Sequence, residues 1–247
     1  MSGHSKWATT KHKKAAIDSK RGKIFTKVIK EITVAARIGG GDPEGNARLR
    51  TVIQKAKEAN MPADNIKKAI QKGTGELPGV SYEEAVFEGY GPGGVAIIAT
   101  IMTDNRNRTV PEIRHIFGKH GGNMGEAGCV SWMFDKKGYI VVEGGKVDEE
   151  KLMNIIVEAG AEDMRRDSDN FEVITTPGDL EKVKKMIEDE GIAVALSEVT
   201  MLPRTYMELD DKSAMQVLRL IEALEDNDDV QNVYSNINVR DEVLENI

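Results

Sequence analysis

The hydrophobic positions in the first third of the chain repeat at helical spacing. In "KIFTKVIKEITVAARIGGG", which begins at Lys23, the basic residues fall on one face and the apolar residues on another. This pattern predicts an amphipathic helix that ends at the three glycines. The apolar face contains Ile24, Phe25, Val28, Ile29, Ile32, Ala35 and Ala36, and the basic face contains Lys23, Lys27, Lys30 and Arg37.

Two more helices follow with the same periodicity. In the second, Asp42 is the expected N-cap, Pro43 is the first helical residue, and the apolar stripe is Leu49, Val52, Ile53 and Ala56. The third begins near Pro62 and ends at Gly73, with Ile66, Ala69 and Ile70 facing inward. We therefore predict a three-helix domain that follows an N-terminal arm.

Beyond the linker "GTGELPGVS" the pattern changes to strands. The runs "EAVFEGY" and "VAIIATIMTD" flank "GPGG", which predicts a β-hairpin. The segment "NRTVPEIRHIFGKHGG" is predicted to be a helix, and "CVSWMFD" a buried strand that contains Cys129.

From Gly138 the predicted elements follow the order βαββαβ, which is the ferredoxin-like arrangement. The last helix, "SAMQVLRLIEALED", and the last strand, "VQNVYSNINV", have no sheet of their own. We expect them to return to the sheet formed by residues 80–134. The fold class is therefore α+β and multidomain: a basic helical domain with its arm (1–76), an α+β domain (77–134 and 204–247), and an inserted ferredoxin-like domain (135–203).

The net charge of −7 conceals a basic first segment and an acidic remainder. Residues 1–72 contain 17 Lys and Arg against 6 Asp and Glu, whereas residues 73–247 contain 17 against 35. Such a division predicts a polyanionic partner for the first segment. The alternative is a solvated basic surface that balances its acidic neighbour.

The arm "GHSKWATTKHKK" combines lysines with an aromatic ring, as nucleic-acid-binding segments do. Its lysines would neutralise phosphates, and Trp7 would stack on a base. The alternative is that Trp7 anchors the arm on the bundle while the lysines stay solvated. The predicted nucleic-acid contacts are Lys6, Trp7, Lys11, His12, Lys13, Lys14, Lys20, Arg21, Lys23 and Lys27.

A second-rank phosphate site is predicted in "TDNRNRT", between a strand and a helix. Arg106 and Arg108, beside the helix N-terminus and Asn105, could bind a phosphate. The alternative is that Asp104 or Asn105 simply caps the helix.

The other motifs indicate neither catalysis nor a cofactor. Gly89, Gly91 and Gly94 match the dinucleotide spacing, but a strand follows them where a cofactor loop needs a helix. Glu112 and His115 supply only half of a di-iron pattern. We predict no metal, no cofactor, no small-molecule substrate and no catalytic residue.

Composition predicts a cytoplasmic protein. No apolar run approaches the roughly 20 residues that cross a bilayer, and the basic N-terminus lacks the apolar core of a secretion signal. The acidic clusters "DEE", "EDE" and "EDNDD" are candidate contacts for basic proteins, although such clusters are usually solvated helix ends.

Several long blocks together resemble the YebC/PmpR family: "GHSKWATTKHKKAAIDSKRGKIFTKVIKEI", "FEGYGPGGVAIIA", "TDNRNRT" and "GGNMGEAGCVSWMF". The resemblance covers almost the whole chain. It implies three domains, with a helical first domain and a ferredoxin-like domain inserted in the second.

The resemblance also implies a function. Members are similar to bacterial DNA-binding transcriptional regulators, whereas mitochondrial and some bacterial relatives look like translation factors. The leading hypothesis is a non-enzymatic DNA-binding transcriptional regulator. The alternative is a ribosome-associated translation factor that binds ribosomal RNA, and an enzyme is the least supported reading.

Overall fold

The computed structural model describes residues 21–167 and 169–239. Its first three helices, α1 (Arg21–Gly39), α2 (Ala47–Glu58) and α3 (Ala63–Thr74), form a bundle. Their apolar stripes meet in one core, which confirms the predicted three-helix region. The buried residues of this core are Ile32, Ala35, Ala36, Leu49, Val52, Ala56, Met61, Ile66 and Ala69.

Helices α1 and α3 approach each other closely at Gly73. A β-carbon on this residue would lie 2.4 Å from the carbonyl oxygen of Thr33 and 2.8 Å from the β-carbon of Ala36. Both neighbours belong to the body of α1, so neither can move aside easily. Glycine is therefore required here for the close helix crossing.

We expect Gly73→Ala to lower the free energy of unfolding by about 1–3 kcal/mol, because the added methyl group overpacks the crossing. In an open helix the same change stabilises by up to about 1 kcal/mol. The matched control is Gly118→Ala, because nothing lies within 4 Å of a β-carbon at that helical position. Urea unfolding followed by circular dichroism measures both, and equal effects would contradict the tight crossing.

The first sheet is built on a hairpin. Strands β1 (Glu83–Tyr90) and β2 (Ala96–Thr103) pair antiparallel and are joined by a 3-10 turn, Pro92–Gly94. Gly93 and Gly94 have φ angles of +71° and +85°, a backbone conformation that favours glycine. The predicted hairpin is confirmed, and the glycine motif is a turn between strands.

Helix α4 (Arg106–Lys119) follows this hairpin and leads to the short strand β3 (Asn123–Met124). Near the chain's end, α7 (Asp211–Glu225) leads to β9 (Val230–Ser235), which pairs with β2 and completes the sheet in the order β3-β1-β2-β9. The predicted return of this last helix and strand is confirmed. Helices α4 and α7 share one core with the sheet, and its fully buried members include Ile97, Ala99, Ile113, Phe117, Val217, Leu220 and Leu224.

The second sheet has the ferredoxin-like topology. Its strands are β4 (Phe134–Glu143), β5 (Asp163–Asp167), β6 (Asn170–Thr175) and β7 (Val194–Pro203), in the antiparallel order β5-β6-β4-β7. Helices α5 (Glu149–Ala159) and α6 (Leu180–Asp189) share one core with this sheet. Two short strands, β8 (Met207–Glu208) and β10 (Ile237–Asn238), form a separate parallel pair.

This architecture confirms the predicted α+β class with an inserted ferredoxin-like unit. The proposed domain boundaries at residues 76, 134 and 203 stay predictions. Among the described helices, none combines the length and apolar character that a membrane span requires.

Two helix ends differ from the prediction. Helix α2 starts at Ala47 because the Asn46 side chain caps it, accepting a hydrogen bond of 3.1 Å from the N–H of Leu49. Asp42 accepts instead from the N–H of Glu44 at 3.0 Å, within the preceding turn. Helix α3 runs on through Gly73 to Thr74, and Gly75, with φ +84°, ends it.

The predicted strand at Cys129–Asp135 is also wrong over most of its length. Ser131–Met133 forms a 3-10 turn, and β4 begins only at Phe134. The N–H groups of Gly128, Val130 and Ser131 are bound by the Glu88 carboxylate, so they are not available to a sheet. Cys129 is a half-buried loop thiol, and burial, followed by the charge of Glu88, raises its pKa.

Candidate nucleic-acid interface

Most of the predicted arm lies outside the described residues: Lys6, Trp7, Lys11, His12, Lys13, Lys14 and Lys20. Arg21 begins α1, and Lys23 and Lys27 follow it on the same helix, one turn apart from each other. The positions of these two lysine side chains can be described. The nucleic-acid role of the whole set stays a prediction.

Lys23 and Lys27 contact the acidic turn, which we define as residues 225–229 between α7 and β9. The Lys23 ammonium lies 2.9 Å from Oδ1 of Asp226, and its side chain is 43% exposed. Lys27 donates to the carbonyl oxygen of Glu225 at 2.7 Å. The C-terminal end of a helix carries partial negative charge, so α7 attracts both cations. The chain itself therefore partly neutralises this end of α1.

Lys30, on the same face of α1, is buried in this contact. Its ammonium donates to Oδ1 of Asp229 at 2.7 Å and to the carbonyl oxygen of Asp228 at 2.8 Å. The side chains of Lys30 and Asp229 are only 9% and 5% exposed. Because a buried charge is costly without its partner, this pair joins the bundle firmly to the first sheet.

Asp229 is the centre of a polar cluster, the Asp229 cluster, that consists of Lys30, Thr103, Arg108, Thr109 and Asp229. Its Oδ2 atom accepts from Arg108 at 2.7 Å, and the hydroxyls of Thr103 and Thr109 lie 3.1 and 2.7 Å from the same oxygen. Burial opposes ionisation of Asp229, but the hydrogen bonds from Lys30, Arg108 and Thr109 outweigh it and lower its pKa to about 2. The carboxylate is therefore charged at neutral pH.

At the second-rank phosphate site, Asn105, Arg106 and Arg108, the structure has the helix cap that was the alternative to phosphate binding. The Asn105 side chain accepts from the N–H of Arg108 at 3.2 Å and caps α4. The Arg108 guanidinium contacts Asp104 at 3.0 Å in addition to Asp229. Arg106 is exposed at the helix start. Two of the three predicted residues thus already have partners within the chain, and phosphate binding there stays a prediction.

The other basic residues of the bundle fall into two groups. Some are engaged: Arg37 with Ser81 and the Tyr82 carbonyl, Arg48 with Glu84, Arg50 with the carbonyls of Pro43 and Glu44, and Lys68 with Asp64. Four lysines on α2 and α3 are exposed and make no ion pair with a described residue: Lys55, Lys57, Lys67 and Lys72. The free positive charge of the described bundle therefore lies on α2 and α3, while the lysines of α1 contact the first sheet's acidic turn.

These four lysines are not among the contacts predicted from the sequence. The signal that identifies them is their position outside the apolar stripes of α2 and α3. The Asp229 cluster, in contrast, had no such signal, because Lys30 and Asp229 lie 199 residues apart in the chain.

A cavity of about 390 Å³ lies beside the Asp229 cluster. Its lining includes the positively charged Lys30 and Arg108 and the negatively charged Asp104, Glu112 and Asp228. Within residues 21–167 and 169–239, no group of three or more His, Cys, Asp or Glu side chains is arranged to hold a metal ion. The candidate interface thus has two parts: paired charges where the bundle meets the first sheet, and exposed lysines on α2 and α3.

The protein is of the α+β class, and its basic three-helix bundle contacts, through lysines of α1, a body that carries a ferredoxin-like unit. The family description "TACO1/YebC protein N-terminal domain" matches residues 5–76, and "TACO1/YebC second and third domain" matches residues 82–237. The chain belongs to the TACO1/YebC family, which confirms the resemblance found in its sequence blocks.

Relatives match over their full length. A probable transcriptional regulatory protein from Desulfosudis oleivorans is 60% identical over 99% of this chain and 100% of its own. One from Geobacter sulfurreducens is 58% identical over 100% of both chains. The crystal structure of a conserved hypothetical protein from Aquifex aeolicus matches with a TM-score of 0.80 and 47% identity, covering 92% of this chain and 94% of that one.

Proposed function

We propose that the chain is a non-enzymatic, cytoplasmic regulator of transcription that binds DNA through its arm and helical bundle. The observation that carries the proposal is the division of charge, with 17 basic against 6 acidic residues in the first 72 and 17 against 35 in the remainder. A basic segment attached to an acidic body approaches a polyanion in one orientation. The names of its relatives, probable transcriptional regulatory proteins, support the regulatory role.

The exposed lysines of the bundle support this proposal. Lys55, Lys57 and Lys67 can reach phosphate without breaking an ion pair to a described residue. Lys23 and Lys27 would first have to exchange the acidic turn for DNA. We therefore expect the arm and the α2 and α3 lysines to supply more of the affinity than α1.

Replacing Lys55, Lys57 and Lys67 together by alanine is expected to weaken duplex DNA binding and to flatten its salt dependence. Each lost phosphate contact should reduce the slope of log K against log salt by about 0.9. Fluorescence anisotropy with a labelled duplex at several salt concentrations measures this change. A second variant, with Lys11, Lys13 and Lys14 replaced, tests the arm in the same way.

The matched control replaces Lys182, Lys185 and Lys212, three exposed lysines of the acidic half. It removes equal charge and should leave the slope unchanged. If the bundle and arm variants both keep the wild-type slope, DNA binding by this domain is refuted. Tight retention on ribosomes together with no sequence preference on DNA would instead favour the translation-factor alternative.

A further inference from the structure

The loop before β4 holds an exposed aromatic side chain on a fixed backbone. We call residues 125–133 the Trp132 loop. Glu88, on β1, is only 5% exposed and accepts three backbone hydrogen bonds from it: from Gly128 and Val130 at 2.8 Å and from Ser131 at 2.7 Å. Charged acceptors make the strongest hydrogen bonds, so a single carboxylate fixes the loop's course.

Two aromatic side chains are fixed to one carbonyl oxygen of this loop. The Cys129 carbonyl accepts from the hydroxyl of Tyr90 at 3.0 Å and from the indole N–H of Trp132 at 3.1 Å. The polar atoms of both rings are therefore directed to the same point. The Trp132 side chain is nevertheless 65% exposed, and Tyr90 is 39% exposed.

This exposure leaves a large π surface in solvent. The only polar atom of the indole is already satisfied within the loop, so the ring presents aromatic carbon to any ligand and no free donor. A ring held by its backbone and by its own hydrogen bond loses little further freedom on binding. The arrangement is suited to stacking more than to hydrogen-bonded recognition.

The surroundings of Trp132 are polar and carry a small net negative charge, because the buried Glu88 carboxylate adds to charges that otherwise balance. Asp135 is paired with Arg204 at 2.8 Å, and the backbone N–H of Arg204 donates to the Met133 carbonyl at 2.8 Å. Lys136 is exposed without an ion pair to a described residue, and Glu126 is the exposed carboxylate of the loop. In a region with so many acidic residues, this patch therefore does not repel an anion strongly.

Protein-docking anchors usually stand inside a broader apolar patch. Here the patch is small: besides the two rings, the exposed apolar side chain close along β1 is Val86, which is 50% exposed, and charged groups lie next to the rings. A flat aromatic ligand with a polar rim and an attached phosphate fits that pattern better. Stacking of a base on an aromatic side chain has this geometry and tolerates any base.

We propose that Trp132 and Tyr90 form a stacking platform for an unpaired nucleobase, in single-stranded DNA or in an RNA loop. The proposal rests on the proposed nucleic-acid function and adds a second contact point, on the acidic half of the chain. Lys136 is the exposed cation next in sequence for an adjoining phosphate, whereas Arg204 would first have to leave Asp135.

The test compares Trp132→Ala with wild type on labelled oligothymidine, oligouridine and a DNA duplex across a range of salt. We expect the variant to bind the single-stranded probes roughly 5- to 100-fold more weakly at every salt concentration. The slope of log K against log salt should stay the same, because no phosphate contact is lost. Duplex binding should be unaffected. Tighter binding of oligothymidine identifies single-stranded DNA as the ligand of the platform, and tighter binding of oligouridine identifies RNA.

Trp132→Leu separates stacking from apolar docking, because leucine keeps apolar area and lacks a π face. We expect it to bind as weakly as Trp132→Ala, and retention of wild-type affinity by Trp132→Leu would overturn the proposal. So would wild-type affinity of Trp132→Ala for both single-stranded probes. Thermal unfolding checks that both variants are folded, as the exposure of the side chain predicts.

A second measurement observes the ring directly. In a Trp7→Phe background, Trp132 is the one remaining tryptophan. We expect its fluorescence to be quenched by oligothymidine or oligouridine, and no quenching at saturation would overturn the proposal. If the wild-type protein binds the single-stranded probes but not the duplex, the proposed function is refuted and the stacking platform is not. If the wild-type protein binds neither kind of probe, both proposals are refuted.

Discussion

Asp229→Ala is expected to lower the free energy of unfolding by about 3–5 kcal/mol, because the variant leaves the Lys30 ammonium buried without a counter-charge. Asp229 also accepts from Arg108 and lies within hydrogen-bond distance of two threonine hydroxyls. Removing the acceptor therefore takes one partner from each of these groups, although Arg108 keeps Asp104 and Thr109 keeps the Asn105 carbonyl. The loss is concentrated where the bundle meets the first sheet, so docking of the bundle should weaken.

Urea unfolding, followed by circular dichroism, measures this loss. The control is Asp228→Ala, because Asp228 is adjacent in sequence, exposed, and contacts Lys30 only through its backbone carbonyl. It should change stability by no more than about 0.5 kcal/mol. Equal losses for the two variants would contradict the buried role of Asp229.

The double variant Lys30→Met/Asp229→Ala isolates the ion pair. Because Lys30→Met removes the charge that Asp229→Ala leaves stranded, the two effects should fall short of additivity by at least about 1 kcal/mol. Strict additivity would show that the two side chains do not depend on each other.

Acid should remove the same stabilisation in the wild type. Folding lowers the pKa of Asp229 from an ordinary value of 3.8 to about 2. Its contribution is thus present above about pH 4 and is lost as the pH falls towards 2, to the extent of roughly 2 kcal/mol. Asp229→Asn carries no titrating group, so its stability should change less over this interval.

Glu88→Ala is expected to cost about 2–4 kcal/mol, because it leaves the N–H groups of Gly128, Val130 and Ser131 without their acceptor. Burial opposes ionisation of Glu88, but these backbone hydrogen bonds outweigh it and lower its pKa. The carboxylate is thus the acceptor on which the Trp132 loop depends. Its removal should loosen the loop without unfolding the β1–β2 hairpin.

Hydrogen exchange of those three amides tests this directly, and each should exchange faster in Glu88→Ala than in the wild type. The control is Glu84→Ala on the same strand, where the carboxylate forms an exposed ion pair with Arg48. Such pairs contribute up to about 1 kcal/mol, and the loop amides should stay protected in that variant. Unchanged protection in Glu88→Ala would show that other contacts hold the loop.

Much of the fold could be predicted because periodic patterns are local. The helical stripes of α1 to α3 and the two apolar runs around "GPGG" identified their elements correctly. Even the return of the last helix and strand to the first sheet followed from the lack of another partner.

One error arose where two local signals competed, and another where a residue distant in sequence intervened. Asp42 and Asn46 are both residues that cap helices, and the side chain that reached the free N–H groups was that of Asn46. The segment Cys129–Asp135 has the pattern of a strand, but Glu88, distant in sequence, accepts hydrogen bonds from N–H groups that a strand would use.

The order of charges along the chain is enough to predict a basic first segment, its helices and a polyanionic partner, because charge and periodicity are properties of neighbouring residues. Which lysines remain free is a different matter. Lys23, Lys27 and Lys30 share one polar face of α1, yet the acidic turn contacts all three while the lysines on α2 and α3 stay exposed. Only tertiary structure decides this, because it brings together groups separated by about two hundred residues, and burial makes the pairing of Lys30 with Asp229 obligatory.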